Sequence, residues 1–181
     1  MSELDRGRLG RRIAVVGTSG SGKTTMADAV ARRLGIPHVE LDAIHWLPNW
    51  EMVPDDVFRD QVSQALSGEA WTVDGNYGKV RDIIWARADS IVWLDYSRPV
   101  VMTRIIRRTF RRLVTRQELW DTNRETWDKV FSRDSIVLWA WRTYQRHRSQ
   151  YPELLARPEH AHLAVVHLRT PRESRRWLAT L

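Results

Sequence analysis

Short apolar runs alternate along this chain with longer stretches in which apolar residues return every three or four positions. Ile13-Ala14-Val15-Val16 is a brief run that stops at Gly17, the profile of a buried parallel strand. Lys23 to Leu34 then reads as a helix, with Met26, Ala27, Val30 and Leu34 on one face and Gly35 as its stop. His38-Val39-Glu40-Leu41 reads as a second strand. Pro54 opens a helix through Leu66, burying Val57, Phe58, Val62 and Leu66. Trp71-Thr72-Val73, Ile91-Val92-Trp93-Leu94 and Leu163-Ala164-Val165-Val166 supply three more strands, and a last helix follows Thr170-Pro171 to about Thr180.

Strands that alternate with helices imply right-handed crossovers and a three-layer α/β/α fold around a roughly five-stranded parallel sheet. In such folds ligands sit beyond the carboxyl ends of the strands, where Gly17, Asp42, Asp74 and Asp95 would gather. Pro99 to Tyr151 breaks the rhythm. It reads as two long arginine-rich helices joined around Gln117 to Phe131, with Met102, Ile106, Phe110 and Leu113 on one face of the first. Arg104, Arg107, Arg108 and Arg111 would share the other face. The expected organisation is one domain, a core of about 11–98 and 152–181 with a helical lid insert of about 99–151.

Composition adds constraints. The 181 residues carry a formal net charge of +7, and Lys23, Lys79 and Lys129 are the only lysines, so arginine supplies nearly all the positive charge. Arginine's planar fork suits paired phosphate oxygens, although codon bias gives the same composition. With no cysteine, disulfides, thiolate metal sites and cysteine nucleophiles are excluded. The polar first dozen residues lack a signal peptide's apolar stretch, and no apolar run reaches membrane-spanning length, so a cytoplasmic protein without membrane contact is expected.

The chemistry begins at Gly17-Thr18-Ser19-Gly20-Ser21-Gly22-Lys23-Thr24, which fits G-x-x-x-x-G-K-[ST] between a strand and a helix. Glycines let backbone N–H groups turn inward toward phosphate oxygens, and the helix start adds its positive dipole end. Gly17 to Thr25 should therefore cradle a nucleoside triphosphate, ATP with Mg²⁺. Lys23 would reach the β/γ-phosphates and the Thr24 hydroxyl would ligate the metal. Asp74, at the end of the third strand, would hold Mg²⁺ directly or through water, or else cap the turn at Gly75. Asp95, after the fourth strand, is a weaker candidate for the metal and reads rather as a turn or cap. Asp42 faces the acceptor side, where a carboxylate orients or deprotonates a substrate hydroxyl. His45 would bond the acceptor, or both residues would serve structure, Asp42 as a cap and His45 packed on Trp46 or Trp50. The arginine helices allow three readings: a solvated face, a lid closing over the transferring phosphoryl, or a basic surface for nucleic acid.

Together GTSGSGKTT, HVELDAIHW, WTVDGNY, IVWLDYSRP, FSRDSIVLWAW and VVHLRTPRE resemble the P-loop small-molecule and nucleoside monophosphate kinases. The likeness is greatest to bacterial adenylate-kinase-related proteins, some labelled DNA topology modulation proteins. The resemblance runs from Arg12 to Leu178 and implies an ATP-dependent phosphotransferase. It implies that Lys23, Asp42, Arg104, Arg108 and Arg133 serve catalysis, with Arg133-Asp134 as a shortened lid R-x-D-D and Arg142 as the arginine after it. His167 to Glu173, with Arg169, is similar to the loop that holds adenine. Where those kinases read D-G-F-P-R, this chain has Asp74-Gly75-Asn76-Tyr77-Gly78-Lys79-Val80-Arg81, leaving Lys79 or Arg81 to replace the acceptor-phosphate arginine. Asp42-Ala43-Ile44-His45 is similar to the D-x-x-H of gluconate-type kinases, whose acceptor is a hydroxyl. The acceptor is thus a nucleoside monophosphate or a small hydroxylated metabolite. The alternative function is a nucleotide-dependent nucleic-acid-binding protein.

Overall fold

In the computed structural model, which describes residues 9–116, 118–120, 123–124 and 135–181, five parallel strands form one sheet. They are β1 (Arg12–Gly17), β2 (His38–Glu40), β3 (Trp71–Asp74), β4 (Ser90–Leu94) and β7 (Ala164–Leu168), in the order β2-β3-β1-β4-β7. The helices between them are α1 (Lys23–Leu34), α2 (Leu41–His45), α3 (Asp55–Ala65) and α4 (Arg81–Arg87). Then come α5 (Arg98–Thr115), α6 (Ile136–Leu155) and α7 (Pro171–Leu178). Leu41 begins α2 instead of extending β2, which shortens that strand to its pairing with Thr72, Val73 and Asp74.

Alternation along β1 builds two cores. Ile13 and Val15 join Met26, Val30, Val101 and Ile105 on one face. Ala14 and Val16 join Leu41, Phe58, Val62 and Trp71 on the other. The register aligns Gly17 with Leu94 and Leu94 with Leu168, so β1, β4 and β7 end side by side. Crossover helices return each chain segment to the opposite edge, and the loops at this carboxyl edge are left to form a crevice.

Three details differ from the periodicity argument. Val57 is exposed, while Phe58, Val62 and Leu66 are buried as expected. On α5 the buried row is Val101, Ile105, Thr109 and Leu113, and Ile106 and Phe110 face outward. The apolar arc is two rows wide, and the row that docks is the one meeting Gly20 of the P-loop. Between α5 and α6 the described residues also include a small antiparallel hairpin, β5 (Glu118–Leu119) with β6 (Asn123–Arg124), which no helical reading anticipates.

α6 crosses the carboxyl edge of the sheet. Its Ala140 and Tyr144 pack in one core and its Tyr151 and Leu154 in the other. The Tyr144 hydroxyl donates to the Tyr96 carbonyl at 2.9 Å, and Arg148 meets Asp95 at 3.0 Å. Asp95 also accepts from His167 at 3.1 Å, and that imidazole stacks on Trp93. Asp95 is therefore a buried tie between β4, β7 and α6, not a turn or cap residue.

Candidate active site

The loop from Gly17 to Gly22 ends where α1 begins, so the free N–H groups of the helix's first turn point toward it. Gly22 has φ +91° and Gly20 φ +82°, both left-handed. A Cβ on Gly20 would lie 2.4 Å from Ile105 and 2.8 Å from the Val101 carbonyl. The glycine thus lets α5 lie directly on the loop. Lys23 folds back to donate to the Thr18 carbonyl at 3.2 Å. Burial pushes its ammonium pKa below the usual lysine value, against the pull of Asp74 and Asp42. Ser19 lies in the loop tip, Thr18 and Ser21 are buried in its walls, and Thr25 is exposed on the first turn of α1.

Asp74 is the most buried carboxylate of the crevice, 3% exposed. Its Oδ2 accepts from the Thr24 hydroxyl at 2.6 Å, and its Oδ1 meets His38 Nε2 at 2.8 Å. That bond to Asp74 is the main reason the His38 pKa is raised, with burial opposing. His38 was legible only as the start of a strand; nothing in its spacing marks a partner 36 positions on. Two hard oxygen donors from Thr24 and Asp74 meet beside the P-loop, which fits the chemistry of a Mg²⁺ site completed by phosphates and water. Among the described residues no group of three or more histidine or acidic side chains offers a dedicated metal cage.

The side of the crevice expected to take an acceptor is built by the residues after β2 and β3. The Tyr77 hydroxyl donates to Asp42 Oδ1. Burial, then the Asp42 charge, drives the Tyr77 pKa far above the usual phenol range, so the phenol stays a donor. His45 packs edge-on against Trp46 and Phe58 and tilts against Tyr77. Burial lowers its pKa, and its Nδ1 has no hydrogen-bond partner among the described residues. Asn76 donates to the Gly17 carbonyl and accepts from Tyr151 of α6 at 2.9 Å, joining the P-loop, β3 and α6 through one amide. Of the two proposed replacement cations, Lys79 is held outside by Asp55 at 2.5 Å. Arg81 lines the cleft with Asp74, Asn76, Tyr77 and Tyr151.

Arg104 reaches the P-loop, donating to the Ser21 carbonyl at 2.8 Å while its guanidinium lies over the Tyr96 ring. Arg108, one turn on, is close enough to depress the Lys23 pKa. Arg107 and Arg111 face outward with Arg142. Arg133, with Asp134, lies outside the described residues. Arg169 follows β7 at the same sheet edge, two strands from Gly17; its side chain is exposed, and its backbone N–H donates to Glu173 at 2.7 Å. Among the described residues no helix is long and apolar enough to cross a membrane.

A family model described as "ATPase family associated with various cellular activities (AAA)" matches residues 13–115, from β1 through α5. No curated protein matches the sequence. Among solved structures the fold is similar to a gluconokinase from Sinorhizobium meliloti 1021, with 22% identity and a TM-score of 0.54 over 96% of this chain and 94% of that one. It is also similar to an unliganded sugar kinase from Janibacter sp. HTCC2649, with 19% identity and a TM-score of 0.51 over 94% and 93%. At these identities the likeness is one of fold.

Proposed function

We propose that this chain, which belongs to the ATPase family associated with various cellular activities (AAA), is an ATP-dependent phosphotransferase acting on a small hydroxylated acceptor. One observation carries the reading: the Asp42–Tyr77 pair meets the P-loop group of Lys23, Thr24 and Asp74 at one cleft, which Tyr77 and Asp74 both line. An ATPase needs only the second group. A carboxylate oriented by a phenol on the opposite side supplies what a hydroxyl nucleophile requires.

In this reading the P-loop N–H groups and Lys23 hold the β- and γ-phosphates, and Arg104 and Arg108 flank them from α5. Thr24 and Asp74 would hold Mg²⁺, which when bound neutralises charge on the phosphate oxygens. Asp42 takes the proton of the acceptor hydroxyl while Tyr77 keeps the carboxylate aimed. The acceptor oxygen bonds to the γ-phosphorus as the bridging oxygen departs with ADP. Arg81 would meet an anionic group of the acceptor. Arg169 belongs with the adenine side.

The test is ADP release from ATP–Mg²⁺ across nucleoside monophosphates and small polyols, led by gluconate and neutral sugars because the two structural neighbours bear those names. Stimulation of at least tenfold by one compound supports the reading and names the acceptor class; slow release that no compound stimulates sinks it. A second reading, nucleotide-dependent nucleic-acid binding, draws on one feature, the outward Arg107 and Arg111 beside exposed Phe110 on α5. It requires polynucleotide affinity that falls steeply with salt.

A further inference from the structure

The acceptor side contains a turn that its sequence disfavours. Trp46 and Met52 form an antiparallel bridge, and the Leu47 N–H donates to the Glu51 carbonyl at 2.9 Å. The two arms are joined through Pro48, Asn49, Trp50 and Glu51, with the Glu51 N–H closing on the Pro48 carbonyl at 3.4 Å. Asn49 and Trp50 both have φ +62°. Two central residues at positive φ are the signature of a type I′ turn, for which Asn-Gly is the favoured pair. The chain has Asn-Trp. A bulky side chain at such a φ persists only where its surroundings impose it, and such positions cluster at functional sites.

The surroundings that impose it come from the insert. Asn123 of β6 is 4% exposed although it sits in a two-residue strand far along the chain. Its Oδ1 accepts from the Trp50 N–H at 2.8 Å. Its Nδ2 donates to the Leu47 carbonyl at 2.9 Å and to the Trp120 carbonyl at 2.7 Å. One amide thus ties both sides of the turn to the hairpin. The same contact brings the rings of Trp46, Trp50 and Trp120 edge to face in a row. Trp120 bonds Glu40, the residue two before Asp42.

We propose that Asn123 is a positioning residue. It latches the strained turn so that Trp50 stands as a wall over the acceptor side, making the insert hairpin part of acceptor recognition. The inference rests on the reading that Asp42 contacts an acceptor. Trp in place of the favoured glycine trades local stability for an indole in that wall, and the latch offsets the cost. The acceptor implied has a C–H face to lie on an indole and hydroxyls to meet Asp42.

Hydrogen exchange on the full chain tests the latch without knowledge of the acceptor. In Asn123→Ala the Trp50 amide and the Leu47 amide, which bonds Glu51 across the turn, should each lose at least tenfold in protection, while sheet amides and the affinity for ADP–Mg²⁺ stay within twofold. Asn123→Asp, which serves if the alanine variant fails to fold, keeps an oxygen for the Trp50 N–H but turns a second oxygen on the Leu47 and Trp120 carbonyls, so the Trp50 amide should keep more of its protection than the Leu47 amide. In a Trp50→Gly background, where Asn-Gly makes the turn unaided, Asn123→Ala should cost the Leu47 amide, which bonds Glu51 across the turn, less than threefold. Unchanged protection in Asn123→Ala, a loss spread over the sheet, or an equal loss in the Trp50→Gly background would each overturn the latch. With an acceptor found by the ADP-release panel, Asn123→Ala should raise its KM about tenfold at near-constant kcat, and an unchanged KM would overturn the link to recognition. A panel that finds no acceptor counts against the proposed activity instead, and exchange alone then decides the latch.

Discussion

Lys23 lies close enough to Asp42 to feel its charge, and the proposed phosphotransfer gives each residue its own step. Lys23 is half-enclosed by the loop it belongs to, so its ammonium is held where phosphate charge would replace water. Removing one preorganised donor of this kind costs about 10²–10³ in rate. Lys23→Ala should therefore lower acceptor-dependent ADP release at least that far while its circular dichroism spectrum matches the parent; unchanged turnover removes Lys23 from the chemistry. Tyr77→Phe tests the other side. It deletes a hydrogen bond to a carboxylate, worth about 1.5–3 kcal/mol, or roughly 10–100-fold in kcat/KM for the acceptor. ADP–Mg²⁺ affinity, measured by calorimetry, should hold within twofold. If both constants fall together, Tyr77 is holding the whole crevice, not aiming Asp42. Of these residues Lys23, Thr24, Asp42 and Asp74 were legible in the sequence because motif and strand ends mark them. Tyr77, His38, Asn76 and Asn123 were not, since each acts through a partner 35 to 76 positions away. A lone polar residue in a loop carries no period.

At the scale of elements, the five strands and the helices that cross between them follow from alternating apolar runs and helical periods. The face of α5 did not. Val101, Met102, Ile105, Ile106, Phe110, Leu113 and Val114 make an arc wide enough for two docking rows, and a polar Thr109 lies in the row that is buried. What decides is the close approach of Val101 and Ile105 to Gly20, a contact between elements that no helix-by-helix pattern contains. The consequence is testable. Gly20→Ala adds a methyl group at φ +82° into Ile105, combining a left-handed penalty with overpacking, together about 2–4 kcal/mol. For a chain of this length that is about 5–15 °C in Tm. Because Arg104 rides on the same helix, ADP–Mg²⁺ affinity should fall as well. A variant with unchanged Tm would mean that α5 is not seated on the loop.

Across the whole molecule the two ends of the sheet divide stability from chemistry. The carboxyl end holds the crevice, and the amino end is closed by Asp89, just before β4. Asp89 accepts from the backbone N–H groups of Arg11 and Arg12 and from the Arg12 guanidinium at 2.6 Å. The hydrogen bond from Arg12, chiefly, holds the Asp89 pKa below the ordinary carboxylate range. A folded-state pKa lower than the unfolded one contributes stability that is fully present above the unfolded value, about 3.9, and is lost as pH falls through the folded value. Both side chains are about one third exposed, so solvent screening discounts the pair. Asp89→Asn should then cost about 1–2 kcal/mol, or roughly 2–8 °C in Tm at neutral pH. The gap between parent and variant should stay level from pH 8 to pH 5 and close progressively below about pH 4. Nucleotide affinity at pH 7.5 should not change, because the substitution lies a strand's length from Gly17. Calorimetric melts across pH, paired with ADP–Mg²⁺ titration, separate the two effects. A gap that persists at pH 3 would assign the loss to packing against Gly10, and an altered affinity would show that the amino edge of the sheet is coupled to the loop at its far end.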